Sequence, residues 1–306
     1  MHSIPDRHTF PLIGLALGSG SARGWSHIGV IKVLEDAGVS PSIVCGTSIG
    51  ALVGAAYAAG ELNRLETWVR NLTWQSVMAL LDVKFGGGLI SGAKLLDFFR
   101  SQFADPGIGG LPKTYGAVAT ELASGREVWL RNGSVIEAVR ASIALPGLFT
   151  PGQINGKLLV DGGLVNPVPV SLCRALGAEI VIAVDLNWEL LGRHYRTTAL
   201  SAEPPEETPP ALASILAKLP LGLGKNEQKP SIELPSILDV LATSLNIMQV
   251  RITRSRLAGD PADIMIRPRL ADIALMDYHR ASLSIDEGRR AAELALPQIK
   301  ELIAGR

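Results

Sequence analysis

The sequence is poor in charged residues, cysteine and histidine. Only 19% of its 306 residues are charged, and 29 lysines and arginines balance 29 aspartates and glutamates. Zero net charge excludes a protein whose main partner is nucleic acid, and the apolar composition excludes an extended disordered chain. Two cysteines, Cys45 and Cys173, cannot build a disulfide framework and match no metal-site spacing. We therefore expect a reducing compartment and no bound metal.

Residues 37–60 hold no charge over 24 positions, which is long enough on paper to cross a bilayer at roughly 20 residues. Five glycines, together with the runs Ser40-Pro41-Ser42 and Gly46-Thr47-Ser48, indicate instead a strand, a turn and a helix. The apolar run at residues 12–17 is too short for a signal peptide. The sequence therefore predicts a cytoplasmic protein, with a peripheral position at a membrane left open.

Short apolar runs alternate with longer helical patterns through the first two thirds of the chain, which is typical of an α/β fold with a parallel sheet covered by helices on both faces. Strands are predicted at residues 12–17, 42–45, 115–122, 126–130, 158–160, 180–184 and 263–266. Helices are predicted at residues 24–37, 49–59, 93–102, 135–141, 168–176, 236–257 and 285–303. The apolar face of the helix at 236–257 is predicted to comprise Leu238, Leu241, Leu245, Met248 and Ile252.

The prolines that begin near residue 203 predict an inserted segment at 203–235. Its apolar stretch at 211–224 is either a helix packed on the core or a lid that touches a membrane. We predict a single domain over residues 1–306, with core motifs at about 12–185 and a C-terminal helix–strand–helix unit at 236–306.

A glycine-rich segment, Gly18-Ser19-Gly20-Ser21-Ala22-Arg23-Gly24, follows the first predicted strand and precedes a helix. Such a loop points backbone N–H groups outward at a helix N-terminus, which suits a phosphate or a developing oxyanion. A dinucleotide site is disfavoured, because Arg23 stands where the dinucleotide fingerprint needs glycine and no acidic residue lies within 38–60.

A second motif, Gly46-Thr47-Ser48-Ile49-Gly50, lies between the apolar residues 43–45 and a helical pattern. Gly-x-Ser-x-Gly between a strand and a helix is typical of a nucleophile elbow, a strained turn that lifts the serine hydroxyl out of a sheet. The alternative is a glycine-containing turn that serves packing alone, in which Ser48 has no catalytic role. The context favours Ser48 as a nucleophile.

A third segment, Asp161-Gly162-Gly163, directly follows a predicted strand, where an α/β enzyme places catalytic groups. Asp-Gly is also an ordinary turn signal. Its combination with the other two segments is what indicates a catalytic carboxylate.

A serine nucleophile usually has a histidine base. The histidines of the chain are His2, His8, His27, His194 and His279. Only His279 has the chain position of a Ser–Asp–His triad, and its neighbours have ordinary helix-like polarity, which favours a structural role. The economical alternative is an aspartate acting directly on the serine, in a site desolvated enough to raise the carboxyl pKa above its usual value.

With these three segments in this order, the sequence resembles the patatin-like phospholipases, in particular the bacterial group similar to the catalytic domain of neuropathy target esterase. Residues 18–24 resemble the oxyanion loop of that family, residues 46–50 its nucleophile elbow, and residues 161–163 its Asp-Gly-Gly element. The similarity extends over about 12–185 and thins beyond that.

The resemblance implies a three-layer α/β/α sandwich with a mostly parallel central sheet, and an acyl-ester hydrolase that needs no cofactor. It implies Ser48 as nucleophile and Asp161 as base, with the backbone N–H groups of Gly20 and Ser21 as the oxyanion hole. Arg23 would brace that loop or meet a lipid phosphate. The implied substrates are phospholipids, lysophospholipids or other acyl esters, met in brief contact with a membrane surface.

One departure from the family pattern is that Ser19 and Ser21 occupy positions that the family often fills with glycine. A serine is strained at either position if φ must be positive there. Two functional alternatives stay open: acyl transfer to an acceptor other than water, and a non-catalytic regulatory or membrane-docking role on the same scaffold. The sequence does not predict the oligomeric state.

Overall fold

The computed structural model of the chain describes residues 11–80, 105–190 and 237–305. The helix predicted at 93–102 and the inserted segment predicted at 203–235, with its apolar stretch at 211–224, lie outside the described residues.

The described residues contain eight strands, which form one sheet, and eight α-helices. The strands are β1 (Ile13–Leu17), β2 (Ile43–Thr47), β3 (Thr114–Glu121), β4 (Glu127–Leu130), β5 (Gly152–Ile154), β6 (Lys157–Asp161), β7 (Ile180–Val184) and β8 (Ile264–Ile266). The helices are α1 (Ser26–Asp36), α2 (Ile49–Ala58), α3 (Leu62–Arg70), α4 (Trp74–Leu80), α5 (Val135–Ser142), α6 (Val170–Ala175), α7 (Ile237–Gly259) and α8 (Ala281–Ala304).

The centre of the sheet is parallel. Strands β3, β2, β1, β7 and β8 lie side by side in that order and run in the same direction. β2 and β7 are buried along their whole length, as expected of strands covered on both faces. β4 and β6 pair with β3 in the antiparallel sense, and β5 pairs with β6 in the same way. The predicted α/β fold with a mostly parallel sheet is confirmed.

Side chains alternate between the two faces of the central strands. Leu15 and Leu17 belong to the larger apolar core, which also contains side chains of α1, α2 and α8. Ala16, between them, belongs to a smaller core on the other face together with Leu172 of α6. Helices therefore cover both faces of the sheet, which confirms the three predicted layers.

Seven of the eight strands lie within two residues of their predicted bounds. The predictions miss β5, which has only three residues, and the helices α3 and α4, and they begin α8 four residues late.

The predicted apolar face of α7 is only partly correct, because Leu245 packs against the core but two other members of the face are exposed. Leu241 and Met248 are 51% and 46% exposed, whereas Gln249, Val250 and Thr253 are buried. A polar side chain is buried on this face because Gln249 accepts hydrogen bonds from other buried side chains, described below.

The uncharged residues 37–60 contain β2, a tight turn and α2, as predicted. None of the described helices combines the length and hydropathy that a bilayer crossing requires.

Candidate active site

Ser48 lies in the tight turn between β2 and α2. Its backbone has φ 57° and ψ −125°, an uncommon conformation for a residue with a side chain. Gly46 and Gly50 make this turn possible, because a Cβ on Gly46 would overlap the backbone of Gly50, and one on Gly50 would overlap the backbone of Leu17. The Ser48 N–H donates to Ser142 Oγ at 2.8 Å. The elbow is thus strained and held from α5.

The register of β3 brings Asp161 to Ser48. Val118 pairs with Thr47, the last residue of β2, and Ala119 pairs with Asp161, the last residue of β6. β4 pairs with the same stretch of β3, so β2 and β6 share the opposite edge and run toward each other. The Ser48 Oγ donates a hydrogen bond to Asp161 Oδ2 at 2.5 Å.

The carboxylate of Asp161 is buried and receives two hydrogen bonds. Its Oδ2 accepts from Ser48, and its Oδ1 accepts from the Gly163 N–H at 2.7 Å. The residue is 1% exposed, and burial raises its pKa from 3.8 to about 6, although the hydrogen bonds from Ser48 and Gly163 act in the opposite direction. Such a carboxylate is largely ionised at neutral pH and is a stronger base than an exposed one.

The glycine-rich segment leads into a 3-10 turn, Ser21–Trp25, before α1. Backbone carbonyls accept from the N–H groups of Gly18, Ser19, Ala22 and Arg23. Within the part of the chain that the structure describes, the N–H groups of Gly20 and Ser21 have no acceptor. Both residues line the same pocket as Ser48 and Asp161. The loop therefore offers two available donors at the edge of that pocket.

Ser21 has a positive φ of 52°, whereas Ser19 does not, so the strain expected of a serine in this loop falls on Ser21. The Ser21 hydroxyl donates to the carbonyl oxygen of Leu275 at 2.7 Å. Because this uses its only proton, the Tyr278 hydroxyl, 2.6 Å away, is the donor in their mutual hydrogen bond. Two contacts from the segment before α8 thus hold Ser21.

Arg23 lies buried behind the loop. None of the described aspartate or glutamate side chains forms an ion pair with it. Its Nη1 donates to the carbonyl oxygen of Ile273 at 3.2 Å, and its Nη2 donates to Oδ1 of Asn187 at 3.2 Å and of Asn246 at 3.3 Å. Burial lowers its pKa to about 10, so the guanidinium is charged at neutral pH. These contacts attach the loop to the end of β7 and to α7.

The pocket in front of Ser48 has a volume of about 920 Å³, counting the space open to solvent at its mouth. Polar groups lie at its base, and its walls are apolar. The walls include Leu52, Trp68, Leu72, Val77, Leu148 and Phe149. Among the described residues no group of three or more histidine, cysteine, aspartate or glutamate side chains is arranged to hold a metal ion.

Two histidines lie within the described residues. His27 is buried, with Nε2 2.8 Å from the carbonyl oxygen of Gly18, and burial lowers its pKa to about 4. His279 is exposed and packs edge-on against the ring of Trp74. Neither of these two side chains lines the pocket. His2, His8 and His194 lie outside the described residues.

Sequence reasoning missed several polar side chains that support the site: Ser142, Asn187, Asn246, Gln249 and Tyr278. Asn187 carried a usable signal, because it lies three residues beyond β7, at the carboxyl end of a central strand. The others stand in helical patterns without a motif.

Comparisons with known proteins identify the family of the chain. A family model described as patatin-like phospholipase matches residues 15–174. An NTE family protein of Mycobacterium tuberculosis is 33% identical over 329 aligned residues, which cover 94% of this chain and 91% of that protein. Patatin-like phospholipase domain-containing protein 6 of Homo sapiens is 37% identical over 184 residues, 57% of this chain and 13% of that protein.

The fold is similar to that in the crystal structure of VipD from Legionella pneumophila, with a TM-score of 0.51 at 15% identity, covering 93% of this chain and 67% of that one. This last comparison concerns the fold alone. On the family model and the mycobacterial relative, the chain belongs to the patatin-like phospholipase family, a family of lipid hydrolases.

Proposed function

We propose that this chain is a serine acyl-ester hydrolase of lipids in which Ser48 is the nucleophile and Asp161 its base. The observation that carries the proposal is the 2.5 Å hydrogen bond from Ser48 Oγ to a buried carboxylate, in a pocket that no described histidine lines. Acyl transfer through a covalent intermediate requires a nucleophile that is activated by a proton acceptor, and these two groups are in direct contact here.

In the first half of the proposed reaction, Ser48 Oγ bonds to the ester carbonyl carbon while its proton passes to Asp161 Oδ2. The carbonyl oxygen becomes an oxyanion that accepts from the N–H groups of Gly20 and Ser21. The bond to the alcohol then breaks, and the alcohol leaves with the proton from Asp161, so that an acyl-serine remains.

In the second half, Asp161 removes a proton from a water molecule whose oxygen attacks the acyl carbon. The oxyanion forms again at the same two N–H groups. Its collapse breaks the bond to Ser48 Oγ, which recovers the proton from Asp161, and the carboxylic acid is released. The charged Arg23 behind the loop supports both oxyanions, because a buried cation acts in a medium of low dielectric.

The apolar walls of the pocket support acyl esters of fatty acids as substrates. Leu52, Trp68 and Phe149 offer a surface on which a hydrocarbon chain loses its contact with water. Phospholipids and lysophospholipids are the substrate classes that we infer from the family and from these walls.

A hydrolysis assay on a lipid panel tests the proposal, with a fluorophosphonate probe as an independent label of the nucleophile. We expect Ser48→Ala and Asp161→Asn to lower kcat by a factor of roughly 10³ or more. His279→Ala, on an exposed side chain outside the pocket, is the matched control and should keep full activity. Full activity in Ser48→Ala would refute the assignment.

The remaining alternatives give different results in the same experiments. Acyl transfer would give a new ester when a lysolipid or an alcohol is added, at the expense of free fatty acid. A non-catalytic scaffold would leave the folded protein unlabelled by the fluorophosphonate at Ser48.

A further inference from the structure

Gln249 is a buried polar residue of α7 that lines the pocket and has no part in the mechanism above. It lies outside residues 15–174, the stretch that matches the family model. Its side chain is 7% exposed. A buried amide normally uses both its oxygen and its nitrogen in hydrogen bonds, so each end needs an explanation.

The orientation of this amide is fixed by Arg23, which can only donate hydrogen bonds. Because Asn187 Oδ1 accepts from Arg23, the Nδ2 of Asn187 faces the other way and donates to Gln249 Oε1 at 2.9 Å. Ser19 Oγ donates to the same oxygen at 3.1 Å. Gln249 Oε1 therefore accepts two hydrogen bonds, and Nε2 points away from these two donors.

The Nε2 of Gln249 lies beside the catalytic carboxylate. The position that a Cβ on Gly163 would take is 2.6 Å from Gln249 Nε2 and 3.0 Å from Asp161 Oδ1. Within the described residues, Gln249 Nε2 donates to no acceptor. The site thus presents an oriented N–H donor on the Oδ1 side of the carboxylate whose Oδ2 is proposed to return a proton to the departing alcohol.

We propose that Gln249 Nε2 donates to an oxygen on the alcohol portion of the substrate, which makes Gln249 the residue that distinguishes alcohols with a hydroxyl next to the scissile ester from alcohols without one. This inference rests on the proposed hydrolase function. A donor left unpaired in a buried site disfavours any substrate that lacks an acceptor there, so the residue selects glyceryl esters over esters of simple alcohols.

Two esters with the same acyl chain test the proposal: 1-monolauroylglycerol and propyl laurate, whose alcohols differ only by two hydroxyls. For the wild type we expect kcat/KM to favour the glyceryl ester by about 10-fold or more, the usual size of one good hydrogen bond to substrate. Gln249→Met should lower kcat/KM for the glyceryl ester and bring the ratio of the two esters close to one. A wild-type ratio near one would overturn the proposal without any variant.

Ser19→Ala is the matched control, because it removes a partner of Gln249 Oε1 and leaves Nε2 in place. Ser19→Ala should change kcat/KM for both esters by the same factor. If the role of Gln249 were purely structural, Gln249→Met would also change kcat/KM for both esters equally. If Gln249→Met does not fold, Gln249→Asn keeps the amide on a shorter side chain and should also reduce the ratio. An unchanged ratio in the folded variant would refute the proposal.

Two further measurements identify the group that is bound and separate this proposal from the hydrolase assignment. 1-Lauroyl-lysophosphatidylcholine shares the glycerol hydroxyl, so Gln249→Met should lower its kcat/KM as it lowers that of the monoglyceride. A lower kcat/KM for the lysophospholipid alone would indicate phosphate recognition and overturn the proposal.

If no ester is hydrolysed, the hydrolase assignment fails, and a binding experiment tests the role of Gln249 separately. The ligand 1-O-dodecylglycerol should raise the Tm of Ser48→Ala and not that of Ser48→Ala/Gln249→Met. Equal shifts would refute the role of Gln249.

Discussion

The hydroxyl oxygens of Ser21 and Tyr278 lie 2.6 Å apart, across 257 positions of the chain. Ser21 has a φ of 52°, where a side chain costs of order 1–3 kcal/mol of strain. Its N–H is one of the two donors that we assign to the oxyanion. Tyr278 therefore stabilises a backbone conformation that glycine adopts without help, and we interpret it as a positioning residue.

Tyr278→Phe should lower kcat with little change in KM. The loss of one neutral hydrogen bond weakens the hold on Ser21 by about 1 kcal/mol, or roughly 5-fold in rate where that conformation is required. We expect kcat to change and KM to stay the same because the oxyanion forms after the substrate has bound. Steady-state kinetics on a p-nitrophenyl ester measure both values.

A double-mutant cycle with Ser21→Gly separates positioning from general packing. Glycine adopts positive φ freely, so Tyr278→Phe should cost much less kcat in the Ser21→Gly background than in the wild type. If Tyr278→Phe has the same effect in both backgrounds, the hydroxyl does not act through Ser21.

The activity of the wild type should follow the ionisation of Asp161. The proposed base works only when deprotonated, and its pKa is raised to about 6 by burial. For a neutral ester, kcat/KM should therefore rise tenfold per pH unit well below 6 and level off above it. A pH–rate profile checks this. The same acid limb should appear in His279→Ala; a limb that moves in this variant would assign the base to histidine instead.

Asp161→Asn should stabilise the fold while it abolishes turnover. The pKa of Asp161 is about 6 in the native state and 3.8 in the unfolded chain, so the native state keeps the proton up to a higher pH. The free energy of unfolding therefore falls as pH rises from about 4 to 6. The ionised carboxylate then costs about 3 kcal/mol at pH 7. Thermal unfolding should show a higher Tm for Asp161→Asn at pH 7, and a difference that shrinks toward pH 4. A lower Tm at pH 7 would contradict this.

Much of the fold could be predicted because parallel strands buried on both faces stand out as uninterrupted apolar runs. β7, with the sequence Ile-Val-Ile-Ala-Val, is such a run. The helix α3 had a signal as well, since Leu62, Leu65 and Val69 recur at steps of three and four and are buried. In α7 the same rule was only partly right, because the buried face includes Gln249, whose partners lie far away in the sequence.

The candidate site divides in the same way. Ser48 follows β2 between Gly46 and Gly50, and Asp161 ends β6 directly before Gly162 and Gly163, so local sequence indicates both of them. Their contact depends on the pairing of β2 and β6 with one edge of β3, and no local pattern encodes that pairing. Gln249 and Tyr278 reach the site only through the tertiary fold, because a polar side chain acquires its partner from whatever packs against it.

Ser142 links the elbow to the sheet, since its Oγ accepts from the Ser48 N–H at 2.8 Å and donates to the carbonyl oxygen of Val118 at 2.6 Å. Ser142→Ala removes both of these hydrogen bonds, which should cost about 2 kcal/mol of folding stability. We expect kcat to fall as well, by roughly 10-fold, because Ser48 loses a contact that holds its strained backbone. Denaturant unfolding and steady-state kinetics measure the two effects.

Ser134→Ala provides the matched control at the other end of α5. Ser134 caps this helix by accepting from the Glu137 N–H at 3.0 Å, and it does not line the pocket. Losing the cap should cost about 1 kcal/mol of stability and leave kcat unchanged. A Ser142→Ala variant that loses stability but keeps the wild-type kcat would show that Ser142 supports α5 alone, because the elbow would then hold Ser48 without this hydrogen bond.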